Sequence, residues 1–167
     1  VGRLLTELEE AGELEKSVIV FFSDHGVGLP RGKRCVYDSG TRVPLIVRLP
    51  NGLAAGTVED RVVSFVDFAP SALSICGVEP PSWMQGRAFA GPFVEEGTGL
   101  SFQHADRMDS VRDRSRAVTD GRYRYTRNFD TERPRLYSVP YADGIPMMAD
   151  IKALGSTIPA TDAQWQM

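Results

Sequence analysis

Residues 18–47 read VIVFFSDHGVGLPRGKRCVYDSGTRVPLIV, and this stretch decides the fold class. It opens on five consecutive apolar residues, Val18 to Phe22, and closes on Leu45-Ile46-Val47 after Pro44. Neither run alternates. A strand with one wet face alternates apolar and polar side chains, whereas a continuous apolar run suits a strand buried on both faces, as in a parallel sheet covered by helices. Between the runs lies a polar loop, Ser23 to Val43, containing glycine and arginine. Upstream, Val1, Leu4, Leu5, Leu8 and Ala11 recur at helical spacing, with Glu7, Glu9 and Glu10 on other faces and Gly12 as a stop. Helix, buried strand, long loop and buried strand predict an α/β fold whose sheet is mostly parallel and flanked by helices. The loop then leaves the carboxyl end of a strand, where such sheets place their sites.

Downstream, Asp67 to Cys76 (DFAPSALSIC) predicts another helix, with Pro70 in its first turn and Gly77 as its stop. Pro80-Pro81, Gly86, Gly91-Pro92 and Gly97 then mark an irregular connector. Short strand-like pieces follow at 100–104, 116–119 and 123–126, and Asp120-Gly121 signals a hairpin between the last two. A helix is expected near 145–154. The organisation read from this pattern is the end of an α/β domain over 1–78, a connector over 79–97, and a subdomain with a small antiparallel sheet over 98–167.

Composition narrows the function classes. With 42% hydrophobic and 25% charged residues the chain has the make-up of a soluble globular protein. A net charge of −3, with no basic run interleaved with aromatics, argues against a nucleic-acid partner. No stretch is long and apolar enough to span a bilayer, so no membrane partner is expected. Cys35 and Cys76 form neither a CxxC metal pair nor a disulfide framework, and Cys76 reads as a buried thiol. The chain opens at Val1 inside a helical pattern, without methionine, so the true N-terminus is expected upstream.

Ser23-Asp24-His25-Gly26 follows the first apolar run directly. A carboxylate and an imidazole at a strand end can bind a divalent cation from one side, with Gly26 removing a Cβ clash. The plainer alternative is a turn in which Asp24 caps local amides and His25 is polar surface. His104, Asp106, Arg107 and Asp109 form a second polar cluster, expected at the end of a strand. Such groups recognise sugar hydroxyls and anionic substituents, or they simply make surface ion pairs of small energetic value. Arg112, Arg114, Arg116, Arg122, Arg124 and Arg127 could attract an anionic glycan, although charged faces of short sheets usually serve solubility.

The combination is more specific than its parts. SDHGVGLPRGKRCVYDSGTRVPLIVRLP, VVSFVDFAPSALSICGVEPPSWMQGRAF and, more loosely, HADRMDS and AVTDGRYRYTRNF together resemble the sulfatase family of the alkaline-phosphatase-like superfamily, over roughly the first 130 residues. The looser segments are similar to a subgroup of heparan N-sulfatase-like and other carbohydrate sulfatases. The resemblance implies that Asp24 ligates the active-site cation, usually calcium, with magnesium or manganese as alternatives. His25, standing where many members have asparagine, is implied as the adjacent ligand. Lys33 is implied to contact the sulfate oxygens, with a solvated loop lysine as the plainer reading. Arg107 and Asp109, with His104, become candidate substrate contacts. Tyr37, Asp38 and Gly40 read as structural, Arg42 as a partner of Asp38, and Asp67 as a helix cap.

The family's nucleophile is a formylglycine made from the cysteine or serine of a Cys/Ser-x-Pro-x-Arg motif, and neither Cys35-Val-Tyr-Asp nor Cys76-Gly-Val-Glu matches it. That motif and the acidic pair completing the metal site are expected in a missing N-terminal part, which would leave this chain alone inactive. The implied activity is hydrolysis of sulfate esters or sulfamates of a small molecule or glycan, in a protein exported like many family members. Two other readings stay open: a phosphodiesterase or phosphonate hydrolase of the same superfamily, and a non-catalytic remnant or interaction module.

Overall fold

The computed structural model describes residues 1–132 and 138–155, and the chain divides into two compact units, Val1–Glu59 and the part from Asp60 onward. In the first unit, α1 (Gly2–Glu10) half-buries Leu5 and Leu8 and leaves its charged residues in solvent. A short 3-10 turn, Leu14–Lys16, leads into β1 (Ile19–Phe22), and β2 (Leu45–Arg48) follows the loop. Arg48 ties this layer together: its guanidinium donates to the Leu14 carbonyl at 2.7 Å and to Glu15 Oε1 at 2.6 Å.

The two apolar runs are strands, but they pair antiparallel, from Ile19 opposite Arg48 to Phe22 opposite Leu45. A parallel sheet is not what joins them. The physical reason is that a continuous apolar run reports burial demand on both faces and says nothing about the direction of the neighbouring strand. That demand is unmet within the unit: Val20, Phe21 and Phe22 are 41%, 42% and 45% exposed, and Ile46 is 62% exposed.

The second unit begins with a capping box. Ser64 accepts from the backbone three residues on, and Asp67 Oδ2 accepts the Ser64 N–H at 2.8 Å, opening a 3-10 turn that runs into α3 (Phe68–Ile75). Cys76 is the C-cap of α3 and is exposed, because its position falls on the solvent side of the last turn; the expectation of a buried thiol is corrected. The stretch after Gly77 has no regular element up to Gly99, yet it is tied to α3 side chain by side chain. Asp67 Oδ1 accepts from Arg87 N–H at 2.9 Å, Ser71 Oγ from Phe89 N–H at 2.9 Å, and Ser74 Oγ from Phe93 N–H at 3.0 Å. Ser71 and Ser74 are 2% and 0% exposed, their two bonds are part-buried, and Phe68 adds edge-on contacts with Phe65 and Phe89.

An antiparallel sheet follows: β3 (Ser101–Met108), β4 (Val111–Thr119) and β5 (Arg124–Asn128), in that order, with a bulge between Ala105 and Arg107. The Asp120-Gly121 hairpin forms as expected, with Asp120 Oδ1 accepting from the Arg122 and Tyr123 N–H groups. Those two bonds lower the Asp120 pKa. β4 is longer than the sequence suggested because its buried face is Asp113, Ser115 and Ala117, a period-two pattern written in small and polar residues. Two short helices, α4 (Pro140–Asp143) and α5 (Pro146–Gly155), end the described chain; they are joined by a Lys152–Asp143 ion pair at 2.6 Å, with Val139 and Met148 fully buried. Among the described residues, no helix is long and apolar enough to cross a membrane.

Candidate active site

The loop from Ser23 to Val43 is closed by its own backbone. Gly26 N–H donates to the Gly40 carbonyl at 2.9 Å, Lys33 N–H to Val27 at 2.8 Å, and Cys35 N–H to Gly32 at 3.1 Å. A one-turn helix, α2 (Asp38–Thr41), supplies the far side, with the Arg42 N–H donating to the Asp38 carbonyl at 2.8 Å. Such closure requires backbone to approach backbone. A Cβ on Gly26 would lie 1.7 Å from the Ser39 carbonyl oxygen, and one on Gly40 would lie 2.3 Å from those of Gly32 and Cys35. Both glycines are needed for closeness, not for a left-handed backbone. Val36 is buried at the centre of the loop, 4% exposed.

This frame presents Asp24 and His25 side by side. Ser23 Oγ donates to the His25 carbonyl at 2.7 Å, fixing the turn. His25 Nδ1 lies 2.8 Å from the Gly26 carbonyl oxygen. A carbonyl only accepts, so Nδ1 carries the proton of that bond. In the neutral ring Nε2 is then left with its lone pair, 3.4 Å from Asp24 Oδ2. Two acceptors held side by side in this way offer a paired donor set to a cation. A cation of calcium's size, with ligand bonds of about 2.4 Å meeting near a right angle, sets its two ligand atoms about 3.4 Å apart. The pair therefore fits two adjacent positions on a divalent ion. It is an incomplete set: among the described residues no cluster of three or more His, Cys, Asp or Glu is assembled. Asp24, 79% exposed, stays open to further ligands.

Lys33 is half-buried in the same loop and is flanked by a feature the sequence reading missed. Arg31 and Arg34 adopt positive φ, 64° and 72°. Non-glycine residues rarely adopt this conformation, and it costs about 1–2 kcal/mol each. The Arg31 guanidinium lies 4.7 Å from the Tyr37 ring centroid, which gives Tyr37 a definite role in the loop. No sequence signal marks an arginine for a left-handed position.

The second group of candidates lies in the other unit. His104, Asp106 and Arg107 are exposed and sit within β3, not at its end, because β3 continues to Met108. Asp109 occupies the two-residue turn to β4 with φ 48°, which aspartate tolerates better than most side chains. Asp106 accepts from Arg116 Nη1 at 2.8 Å, and this bond holds its carboxyl below the ordinary pKa. Asp67, expected as a helix cap, does not cap α3 with its side chain but closes the capping box on Ser64 and holds the Arg87 N–H, so both carboxylate oxygens are engaged by backbone N–H groups.

Comparison with known proteins gives a consistent result. Residues 1–78 match the family model described as Sulfatase. An ulvan-active sulfatase of Formosa agariphila is 42% identical over 166 residues, covering 99% of this chain and 28% of that protein. An N-acetylglucosamine-6-O-sulfatase of Bacteroides thetaiotaomicron is 41% identical over 101 residues, 58% of this chain and 18% of that one. A solved structure described as a complex with its substrate D-glucosamine-2-N,6-O-disulfate superposes with a TM-score of 0.66 at 25% identity, over 99% of this chain and 38% of that one. The chain thus spans less than a third of the length of either curated relative. Over residues 1–78 the chain matches the sulfatase family, and it is similar to sulfatases over nearly its whole length.

Proposed function

We propose that this chain is the C-terminal part of a sulfatase that hydrolyses sulfate esters or sulfamates of a carbohydrate. The observation that carries the reading is the Asp24–His25 pair, with the His25 tautomer set by Gly26, in a loop that also carries Lys33. Its support from relatives is the 42% identity that runs through both compact units to an ulvan-active sulfatase. In this reading 1–78 completes the catalytic domain of alkaline-phosphatase-like fold, 79–97 connects, and 98–167 is a C-terminal subdomain. Export is proposed on the likeness to extracellular sulfatases.

The roles follow from the donors. Asp24 and His25 hold a divalent cation, calcium being favoured by the hard carboxylate and magnesium or manganese accepted by the mixed set. When bound, that ion supplies positive charge to the sulfuryl oxygens and the nucleophile. The Gly26 carbonyl keeps His25 in the tautomer whose Nε2 faces Asp24. Lys33 places an ammonium where negative charge gathers as the S–O or S–N bond breaks. Overall, water oxygen ends on sulfur and a proton ends on the leaving oxygen or nitrogen. The nucleophile is expected as a formylglycine upstream of Val1. His104, Arg107 and Asp109 are proposed as contacts to the sugar.

The test is sulfate release from a sulfated monosaccharide by a protein that joins this chain to its upstream coding sequence. Lys33→Ala should lower kcat/KM by about 10²–10³-fold. A complete protein with an intact Cys/Ser-x-Pro-x-Arg motif that released sulfate from neither sulfated sugars nor an aryl sulfate would overturn the proposal. Faster turnover of an aryl phosphodiester would move it to the phosphodiesterases.

A further inference from the structure

The β3–β4–β5 sheet has one open face, on which His104 and Arg107, proposed above as sugar contacts, belong to a larger set of side chains. Its register sets Phe102, Val118 and Tyr125 in one row across the three strands, and His104, Arg116 and Arg127 in the next. Phe102 and Tyr125 are 69% and 66% exposed, two aromatic rings held in solvent by a rigid frame. With strands about 4.8 Å apart, the outer two members of each row stand roughly 10 Å from one another. At β3 and β4 opens a shallow cleft of about 430 Å³, lined by Phe102, Gln103, His104, Asp106, Arg116 and Ala117.

The charge of this face opposes that of the chain. Arg107, Arg112, Arg114, Arg116 and Arg127 are all exposed along it, within a chain of net charge −3. Its carboxylates are already engaged: Asp106 with Arg116 at 2.8 Å, and Asp130 with Arg114 at 3.1 Å and Arg112 at 3.8 Å. The Phe129 ring carries Arg127 at 4.8 Å and Arg114 at 5.9 Å, which holds those guanidinium groups in place before any ligand arrives. Exposed rings offer stacking to the C–H faces of sugars, and guanidinium forks match sulfate and carboxylate oxygens.

We propose that this sheet face is a polymer-binding strip for an anionic polysaccharide. The inference rests on the proposed sulfatase reading only for choosing a glycan among polyanions. The strip is tested by affinity electrophoresis of the full protein in gels containing dextran sulfate, neutral dextran or single-stranded DNA. Dextran sulfate should retard the protein and neutral dextran should not. Arg116→Gln with Arg127→Gln should weaken retardation about tenfold or more and flatten its dependence on salt. Phe102→Ala with Tyr125→Ala should weaken it while leaving the salt slope unchanged. Melting temperatures report whether each variant is folded. Variants that bind like the parent, or retardation by DNA as strong as by dextran sulfate, overturn the strip. Sulfate release from a monosaccharide, measured in parallel, keeps the two ideas apart. Hydrolysis without polymer binding overturns the strip alone, and polymer binding without hydrolysis overturns the sulfatase reading alone.

Discussion

In the loop from Ser23 to Val43, backbone closes on backbone: Gly26 to Gly40, Lys33 to Val27, Cys35 to Gly32. In the sheet from Ser101 to Asn128, the polar side chains of the open face are instead fixed by one another, Arg116 on Asp106 and Arg114 on Asp130. The difference bears on tolerance to change. Backbone closure fixes the loop through its main chain, but it admits no extra atom at the crossing points. Side-chain pairing admits replacement at little structural cost, because exposed ion pairs contribute little to folding. The loop should therefore be brittle in structure, and the sheet face pliable in structure but sensitive in binding.

The strongest attack on that contrast is Gly26→Ala. The new methyl would meet the Ser39 carbonyl, a backbone atom that cannot rotate away. A loss of about 3 kcal/mol is expected, read as a drop in melting temperature together with loss of sulfate release. An alanine variant that melts with the parent would break the comparison. A smaller effect is expected at Ser74→Ala, which leaves the part-buried Phe93 N–H without its acceptor. Urea titration should show a loss of about 1–2 kcal/mol there. It would sharpen the contrast, since this is side-chain closure that is part-buried.

The smallest effect belongs to acid. The Arg114 and Arg116 hydrogen bonds hold the Asp130 and Asp106 carboxyls below the ordinary value of about 3.9. A depressed folded pKa gives stability that is complete above the unfolded value and fades as pH falls through the folded one. A slight decline in the urea midpoint is thus expected below about pH 4. Arg116→Gln should remove the Asp106 share of that decline. A midpoint that instead rose on acidification would contradict the assignment.

Much of this was legible in the sequence. α1, both apolar strands, α3 and the Asp120-Gly121 hairpin follow from apolar spacing and turn chemistry, which are local. Asp24, His25 and Lys33 stood out because a strand end followed by Asp-His-Gly and Gly-Lys is a specific pattern. What stayed hidden depends on partners distant along the chain. The direction in which β1 meets β2 is not encoded in their composition. The full length of β4 is masked because Asp113 and Ser115 face inward. The left-handed Arg31 and Arg34 arise from loop closure, not from residue type.

Asp67 has one more consequence. Its two carboxylate oxygens hold the N–H groups of Ser64 and Arg87, the second of them 20 residues further along the chain. That arrangement works as a ruler. A residue gained or lost between them would shift Arg87 off its anchor, and Phe89 and Phe93 off Ser71 and Ser74 with it. In a lineage of such proteins, length variation should accumulate in the exposed segment 53–60 and be purged between 67 and 93.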